Sequence, residues 1–272
     1  MIYRNHNHIL RRWLWLTALL ACGCGAPKPA ADAPAPTPSK AAEPLRVAAA
    51  SDLQSVLPEV ARRFTAVTKA EVSLTFGASG QLAAQLKEGA PFDVFLAANQ
   101  SFVKDLADGG FVRPESVRPY AQGTLALAIH RDSVEAIRGL ADLARPDVKR
   151  VALANPAFAP YGAAGKQALE RSGMWPAVSS KIVQSETVRQ ALQYVQSGNA
   201  EAGLVGRSIV EVPEVVAIEV DPKLYDPIVQ ALGVVARSPR PELAEAFVRF
   251  VLGDEGQALL LRSGFRKPAA VP

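Results

Sequence analysis

The chain has few of the side chains on which thiol, metal and histidine chemistry depends. It contains two cysteines, Cys22 and Cys24, and three histidines, of which His6 and His8 lie near the same end of the chain. The residues after position 44 can therefore form no disulfide, no thiol nucleophile and no zinc–thiolate site. They keep a single histidine, His130, so a serine nucleophile there would lack an evident base. These shortages argue against the common hydrolase and metalloenzyme sites.

A strong excess of one charge is missing as well. The whole chain has 30 Lys and Arg against 26 Asp and Glu, but without its first 44 residues it keeps 25 basic and 24 acidic residues. A balance near +1 gives no indication of nucleic-acid binding. After residue 44, no apolar run is long enough to cross a membrane without meeting a charged residue or a proline.

The first 24 residues have the pattern of an export signal. Basic residues precede an apolar run, 13–21, that is too short to span a bilayer. The run ends Leu-Leu-Ala-Cys, which resembles the lipobox of bacterial lipoproteins and implies a lipid on Cys22; Cys24 is the weaker candidate, and a plain cleaved signal is the alternative. Residues 25–44, rich in Ala and Pro, are predicted to form a tether. We therefore expect a periplasmic lipoprotein anchored to a membrane through its lipid alone.

From Leu45 onward, strand-like apolar runs alternate with helical patterns. The predicted strands are 45–49, 71–76, 94–97, 124–129, 150–153, 181–183, 202–205, 215–219 and 228–236. The predicted helices are 53–68, 81–88, 100–108, 163–172, 187–197 and 241–252. This alternation is typical of an α/β protein with mainly parallel sheets flanked by helices. Pro58 conflicts with the first helix, which must be kinked there or begin later, near Ser55.

Two lobes are predicted from the long β-rich runs 124–129 and 228–236. If these runs connect the lobes, residues 45–122 and 224–272 form lobe I and residues 123–223 form lobe II. The cleft between such lobes faces the carboxyl ends of the strands, where α/β proteins commonly bind ligands.

Ser51 and Ser79 each follow a strand and open a helical pattern. A serine at such a junction brings its hydroxyl and the free N–H groups of the helix start to one spot, which favours an anion. The alternative is an ordinary N-cap at each serine, and Gln54 has capping-box spacing from Ser51. Asp52, in the first turn, is expected to direct its side chain to solvent. The alternative is a carboxylate aimed inward, which would repel a fully ionised oxyanion but could accept a proton from hydrogen phosphate.

Two later junctions have the same character. In Asn155–Lys166 (NPAFAPYGAAGK) the phosphate-loop pattern fails at both ends, but its turn presents N–H groups at a helix start. Glu186–Arg189 begins another helix after a predicted strand. The serine-hydrolase elbow also fails at Ser79, because Gln81 stands where the second glycine belongs.

Six segments, taken in order, resemble the periplasmic molybdate-binding proteins of ABC importers. They are AAASDL, FGASGQLAAQL, GAPFDVFLAAN, NPAFAPYG, ETVRQAL and GNAEAGLV. The resemblance covers Leu45 to about Phe265. It implies a type II periplasmic-binding-protein fold, with two lobes and the ligand in the cleft between them.

The resemblance also implies a set of ligand-binding residues. Ser51 and Ser79 would supply hydroxyl and backbone donors, and Tyr161 and Val188 would each supply a backbone N–H. Some members add a tyrosine hydroxyl where this chain has Gly206, a donor that Tyr161 or water could replace.

The sequence thus predicts a monomeric solute-binding protein rather than an enzyme. Its ligand would be molybdate or tungstate, with molybdenum present only inside the oxyanion, no bare metal ion and no cofactor. Its partners would be an ABC permease and, through the lipid, a membrane. A binding protein for phosphate, sulfate or a small carboxylate is the alternative.

Overall fold

A computed structural model describes residues 43–268 of the chain. The predicted signal peptide, both cysteines and nearly all of the predicted tether lie outside these residues. No helix among the described residues has the length and apolar character needed to span a bilayer.

The described chain contains ten strands and eight α-helices, joined by short 3-10 turns. The strands are β1 (Leu45–Ala50), β2 (Val72–Gly77), β3 (Val94–Ala97), β4 (Arg118–Gly123), β5 (Leu125–His130), β6 (Val151–Ala154), β7 (Ile182–Ser185), β8 (Ala202–Gly206), β9 (Val215–Glu219) and β10 (Ile228–Val234). The helices are α1 (Leu57–Thr68), α2 (Ser79–Lys87), α3 (Gln100–Asp108), α4 (Pro160–Arg171), α5 (Trp175–Val178), α6 (Val188–Gln196), α7 (Pro241–Leu252) and α8 (Asp254–Arg262).

The strands form two five-stranded sheets, ordered β2-β1-β3-β10-β4 and β7-β6-β8-β5-β9. In the first sheet β10 runs antiparallel to both its neighbours, and in the second β5 does the same. The other four strands of each sheet point one way. The one reversed strand makes half of the pairings in each sheet antiparallel, while the common direction of the other four agrees with the expected, mainly parallel sheets.

The chain passes between the sheets twice, at Thr124 and again between Glu219 and Ile228. Each sheet has its own apolar core. In the first, Phe64 of α1 packs edge-on against Phe247 of α7, with ring centroids 5.2 Å apart. In the second, buried aliphatic residues of β5, β6 and β8 pack against α4 and α6.

The first helix resolves the conflict at Pro58. Ser51–Leu53 forms a 3-10 turn, and α1 begins at Leu57 with Pro58 in its first turn, where the missing N–H costs nothing. The capping box predicted at Ser51 is wrong, because Ser51 lies inside the turn and its side chain caps no helix. Instead the backbone N–H of Gln54 donates to the carbonyl of Ser51 at 3.3 Å.

Candidate functional site

A small hollow lies where the two sheets face each other, and it measures about 190 Å³ when its opening to solvent is included. Strands β1 and β2 end side by side on one wall, and β6 and β7 end side by side on the other. Each of the four strands leads into a helix or turn whose N-terminus faces the hollow. Its lining residues are Ala50, Ser51, Asp52, Gly77, Ala78, Ser79, Ala98, Ala159, Pro160, Tyr161 and Val188. The structure thus brings together all four predicted ligand-binding residues; their role in binding stays a prediction.

Ser79 is the first residue of α2 and is buried. Ala78 is the N-cap and makes no side-chain hydrogen bond, so the serine is not an ordinary cap. The Ser79 hydroxyl accepts a hydrogen bond from the backbone N–H of Ala98 at 3.0 Å. Since a hydroxyl both accepts and donates, its own hydrogen is left to donate elsewhere. That donor lies beside backbone N–H groups that have no partner within the helix.

Ser51 opens the 3-10 turn after β1, directly opposite the end of β2. The turn is held from the other side of the cleft, because the Ser208 hydroxyl donates to the carbonyl oxygen of Asp52 at 3.2 Å. The Ser55 hydroxyl in return donates to the carbonyl oxygen of Ser208 at 3.0 Å. These contacts bury the turn between the two sheets.

The expectation that Asp52 directs its side chain to solvent is wrong. The residue is fully buried, and its Oδ2 accepts a hydrogen bond from the Gln230 amide on β10. The reason is that the contact with Ser208 buries the whole turn, so the carboxyl cannot reach solvent and pairs with Gln230 instead. Burial raises the pKa of Asp52 to about 6, and the hydrogen bond from Gln230 offsets part of that rise.

Helix α4 brings the backbone N–H of Tyr161 to the hollow. Pro160 occupies the first helical position, where its missing N–H costs nothing, so the Tyr161 N–H is the first of the helix. The loop before it is built by Asn155, whose carbonyl accepts from the N–H groups of Phe158 and Ala159 at 3.1 and 2.9 Å. Gly162 lets the helix approach the end of β6, since a Cβ there would lie 2.1 Å from the carbonyl oxygen of Ala154.

Helix α6 begins at Val188 in a similar way. The Thr187 hydroxyl is a genuine N-cap and accepts from the N–H of Gln190 at 3.1 Å. The Ser185 hydroxyl donates to the carbonyl of Thr187 at 2.9 Å and fixes the turn that precedes the helix. The N–H of Val188, at the first helical position, has no partner within the helix.

The lining of the hollow, among the described residues, includes neither Lys nor Arg. Its positive potential comes from the N-terminal ends of three α-helices and one 3-10 turn, and the helix dipoles favour a negative guest there. Asp52 contributes the one ionisable carboxyl in the lining as formed by residues 43–268. No group of three or more His, Cys, Asp or Glu within residues 43–268 could hold a metal ion.

A buried amide connects the lining to the strands behind it. The Tyr120 hydroxyl donates to Gln230 Oε1 at 2.5 Å, so this oxygen accepts and Nε2 donates. The two hydrogens of Nε2 go to Asp52 Oδ2 and to the Tyr161 hydroxyl, the latter at 3.1 Å. Burial, followed by the nearby Asp52 carboxylate, raises the pKa of both tyrosines well above its ordinary value, so both hydroxyls stay protonated.

Gly206 makes room for the Tyr161 ring. A Cβ at Gly206 would lie 3.0 Å from two ring carbons of Tyr161, and a Cβ at Gly123 would lie 2.2 Å from its hydroxyl oxygen. The Tyr161 ring thus fills the space beside Gly206, the position at which some family members are expected to carry a tyrosine. The Tyr161 hydroxyl is engaged with Gln230, while its backbone N–H belongs to the helix start.

A model of the bacterial extracellular solute-binding proteins matches residues 45–266, which is most of the chain. The chain belongs to this family. The molybdate-binding protein ModA of Azotobacter vinelandii is 32% identical over 231 residues, covering 84% of this solute-binding protein and 91% of the relative. ModA of Rhodobacter capsulatus is 31% identical over 226 residues, covering 83% and 89%.

The fold of this solute-binding protein is also that of a solved relative. The periplasmic molybdate-binding protein of Azotobacter vinelandii matches it with a TM-score of 0.76 at 29% identity, covering 83% of this chain and 100% of the relative. The predicted two-lobed α/β fold and the family resemblance are both confirmed.

Sequence reasoning missed Gln230 and Tyr120, and it favoured the wrong direction for the Asp52 side chain. Gln230 carried a signal, because it is the one polar residue in the apolar run of β10. A polar side chain in such a strand has to find a hydrogen-bond partner inside the protein.

Proposed function

We propose that this solute-binding protein captures molybdate or tungstate outside the cytoplasm and delivers the anion to an ABC permease. One observation carries the proposal: four strand-to-helix junctions direct their free donors into one hollow whose lining has no Lys or Arg among the described residues. Independent support comes from relatives that are named molybdate-binding proteins and that align along most of the chain.

The anion would be held by uncharged donors. The hydroxyl and backbone groups of Ser51 and Ser79 would bind from one wall, and the N–H groups of Tyr161 and Val188 from the other. A hydrogen bond to a charged group contributes about 1.5–3 kcal/mol, so several such bonds can hold a dianion without a counter-ion. The helix dipoles add to the attraction.

Selectivity would follow from the size of the guest. Molybdate and tungstate are nearly equal in size and charge, so the site should accept both. Sulfate and phosphate are smaller and would leave some buried donors unpaired, at a cost of about 1–3 kcal/mol for each. This energy difference would be enough to discriminate between the anions by size alone. We expect the ligand to be bound and released unchanged.

Binding would couple to closure of the two lobes, which we assign to residues 45–122 with 224–272 and to residues 123–223. The lobes already contact each other across the hollow, where the N–H of Gly80 donates to the carbonyl of Phe158 at 2.9 Å. An anion that bonds to both walls stabilises this closed arrangement. The closed surface is what the permease would recognise.

The membrane attachment is proposed to be a lipid on Cys22, with the Ala- and Pro-rich segment as spacer. Partition of the full-length protein into detergent, followed by mass spectrometry of its N-terminal peptide, tests this. We expect loss of the lipid in Cys22→Ser and its retention in Cys24→Ser. The opposite pattern would move the lipid to Cys24, and no lipid in the wild type would leave a plain cleaved signal.

Calorimetric titration with molybdate, tungstate, sulfate and phosphate tests the ligand. We expect tight binding of the first two anions and weak or no binding of the others. Ser79→Ala should weaken molybdate binding by tenfold or more, whereas Ser101→Ala, an exposed serine in the first turn of α3, should leave it unchanged. Tight sulfate or phosphate binding without a response to molybdate would contradict the proposal.

A further inference from the structure

We propose that Asp52 is a fifth ligand-binding residue, which acts in its neutral form and donates a hydrogen bond to the anion through Oδ1. Each captured dianion would then bring one proton from solvent onto this carboxyl. The inference rests on the function proposed above, because it names a further donor in the same hollow.

The two oxygens of the carboxyl have different surroundings. Oδ2 accepts from the Gln230 amide, whereas Oδ1 is buried and has no hydrogen-bond partner among the described residues. Asp52 also lines the hollow. A buried polar oxygen without a partner is costly, and a guest that pairs with it removes the cost. A neutral carboxylic acid suits this site, because its Oδ2 can accept from Gln230 while its Oδ1–H donates to the bound anion.

The Gln230 amide fixes which oxygen accepts. Tyr120 donates to its Oε1, so Nε2 must be the group that faces Asp52. The carbonyl oxygen of a carboxylic acid accepts hydrogen bonds better than its O–H oxygen does, so the Nε2 donor favours Oδ2 as the oxygen without the proton. If the carboxyl holds a proton, that proton is therefore on Oδ1.

The groups around the carboxyl lower its pKa by less than burial raises it; besides Gln230 they are the Tyr161 hydroxyl and the backbone N–H groups of Asp52 and Leu53. Tyr120 from β4 and Tyr161 from α4 face it, and both carry neutral hydroxyls. On the elements packed against its turn, the charged residues are Arg189 of α6 and Arg207 of the Arg207–Ile209 turn, and Arg207 is paired with Glu211. Neither arginine forms an ion pair with the carboxyl in the described structure. The strands β2 and β10 contribute no charged residue.

An ionised Asp52 would oppose a dianion in the same small space, because like charges disfavour each other's ionised forms. Burial already raises the pKa of Asp52 to about 6 before any anion is present. An anion raises it further, so at pH 8 the free carboxyl is mostly ionised and the bound one is neutral. The proton comes from solvent on binding and returns to solvent on release.

Calorimetry in two buffers of different ionisation enthalpy measures this proton directly. At pH 8 we expect uptake of about one proton per molybdate in the wild type and none in Asp52→Asn. The asparagine amide reproduces the neutral acid, with one oxygen to accept from Gln230 and one N–H to donate. Asp108→Asn, the same change at an exposed site, should behave as wild type.

The affinities give a second readout. Between pH 7 and 8.5 the wild type should lose roughly tenfold in molybdate affinity per pH unit, whereas Asp52→Asn should be independent of pH. At pH 8 the variant should bind up to roughly 100-fold more tightly than the wild type.

The outcomes separate the two proposals. Molybdate binding with no proton uptake and no pH dependence would overturn the role of Asp52 and leave the proposed function standing. A wild type that ignores molybdate but binds hydrogen phosphate, and loses that binding in Asp52→Asn, would overturn both, because the carboxylate would then accept a proton from the ligand. A free energy of unfolding of Asp52→Asn in urea that is equal to or above that of the wild type excludes misfolding as the cause of lost binding.

Discussion

Gly80→Ala tests whether contact between the lobes contributes to affinity. Gly80 is the second residue of α2, and its N–H bonds to Phe158 on the other lobe. An added Cβ would lie 3.0 Å from the Phe158 Cα, 3.2 Å from its carbonyl oxygen and 3.3 Å from the Phe102 ring. The ring can rotate, but the Phe158 backbone must move away, and opening of the lobes is the easiest way to move it.

The cost can be bounded from these contacts. Overpacking at one methyl group costs about 1–3 kcal/mol, and the interlobe hydrogen bond lengthens as well. Because the open form escapes the clash, the cost falls on the closed, ligand-bound form and should lower molybdate affinity by roughly 5- to 150-fold. In the open form alanine favours the helix by up to about 1 kcal/mol over glycine.

Titration calorimetry and thermal unfolding together provide the assay. We expect weaker molybdate binding in Gly80→Ala while the melting temperature of the ligand-free protein is equal to or above that of the wild type. Gly139→Ala is the matched control, because a Cβ there meets nothing within 4 Å and its backbone is extended. Unchanged affinity in Gly80→Ala would refute the coupling of binding to this contact.

Three further substitutions test how a buried ion pair, the Asp52 carboxyl and the packing of α4 on β6 contribute to stability. Asp93→Ala removes the partner of Arg240 and of the Ser238 hydroxyl, and it should cost about 3 kcal/mol in urea unfolding without altering molybdate affinity; a stable variant would contradict the importance of this pair. Asp52→Asn should raise the free energy of unfolding of the ligand-free protein at pH 7.5 by up to about 3 kcal/mol. The pKa of Asp52 is about 6 in the folded protein against 3.8 for an ordinary Asp, so the wild type loses stability as the pH rises from about 4 through 6. The stability gain of Asp52→Asn should therefore vanish below about pH 4. An equal gain at pH 4 and pH 7.5 would refute the raised pKa of Asp52. Gly162→Ala should both destabilise the protein by about 3 kcal/mol or more in urea and weaken molybdate binding, because α4 must retreat from β6; normal behaviour in both assays would contradict the close packing.

The elements with strong local patterns were predictable from the sequence. Strands β3 and β9 and helices α3 and α7 have the predicted bounds, because their periodicity is clear and each helix is bounded by Gly or Pro. Strand β4 was missed, since its sequence RPYAQG contains a proline and no alternation, as an edge strand permits. Helix α8 was missed as well, although Gly253 separates it from α7.

The site was predictable in part because backbone donors follow from local rules. A strand that runs into a helix presents free N–H groups wherever the pair lies, so Ser51, Ser79 and the two later helix starts could be singled out one by one. The choice of Tyr161 and Val188 within those helix starts depended on the family resemblance. The direction of Asp52 was beyond such rules, since it is set by Gln230, which lies 178 positions along the chain.

A crystal structure of the protein grown with molybdate, with the metal located by its anomalous scattering, tests the central claim most directly. We predict one molybdenum peak in the hollow, with the anion oxygens about 2.7–3.2 Å from the hydroxyls of Ser51 and Ser79 and from the backbone nitrogens of Tyr161 and Val188. A peak outside the hollow, or an anion held by a lysine or arginine side chain, would contradict it.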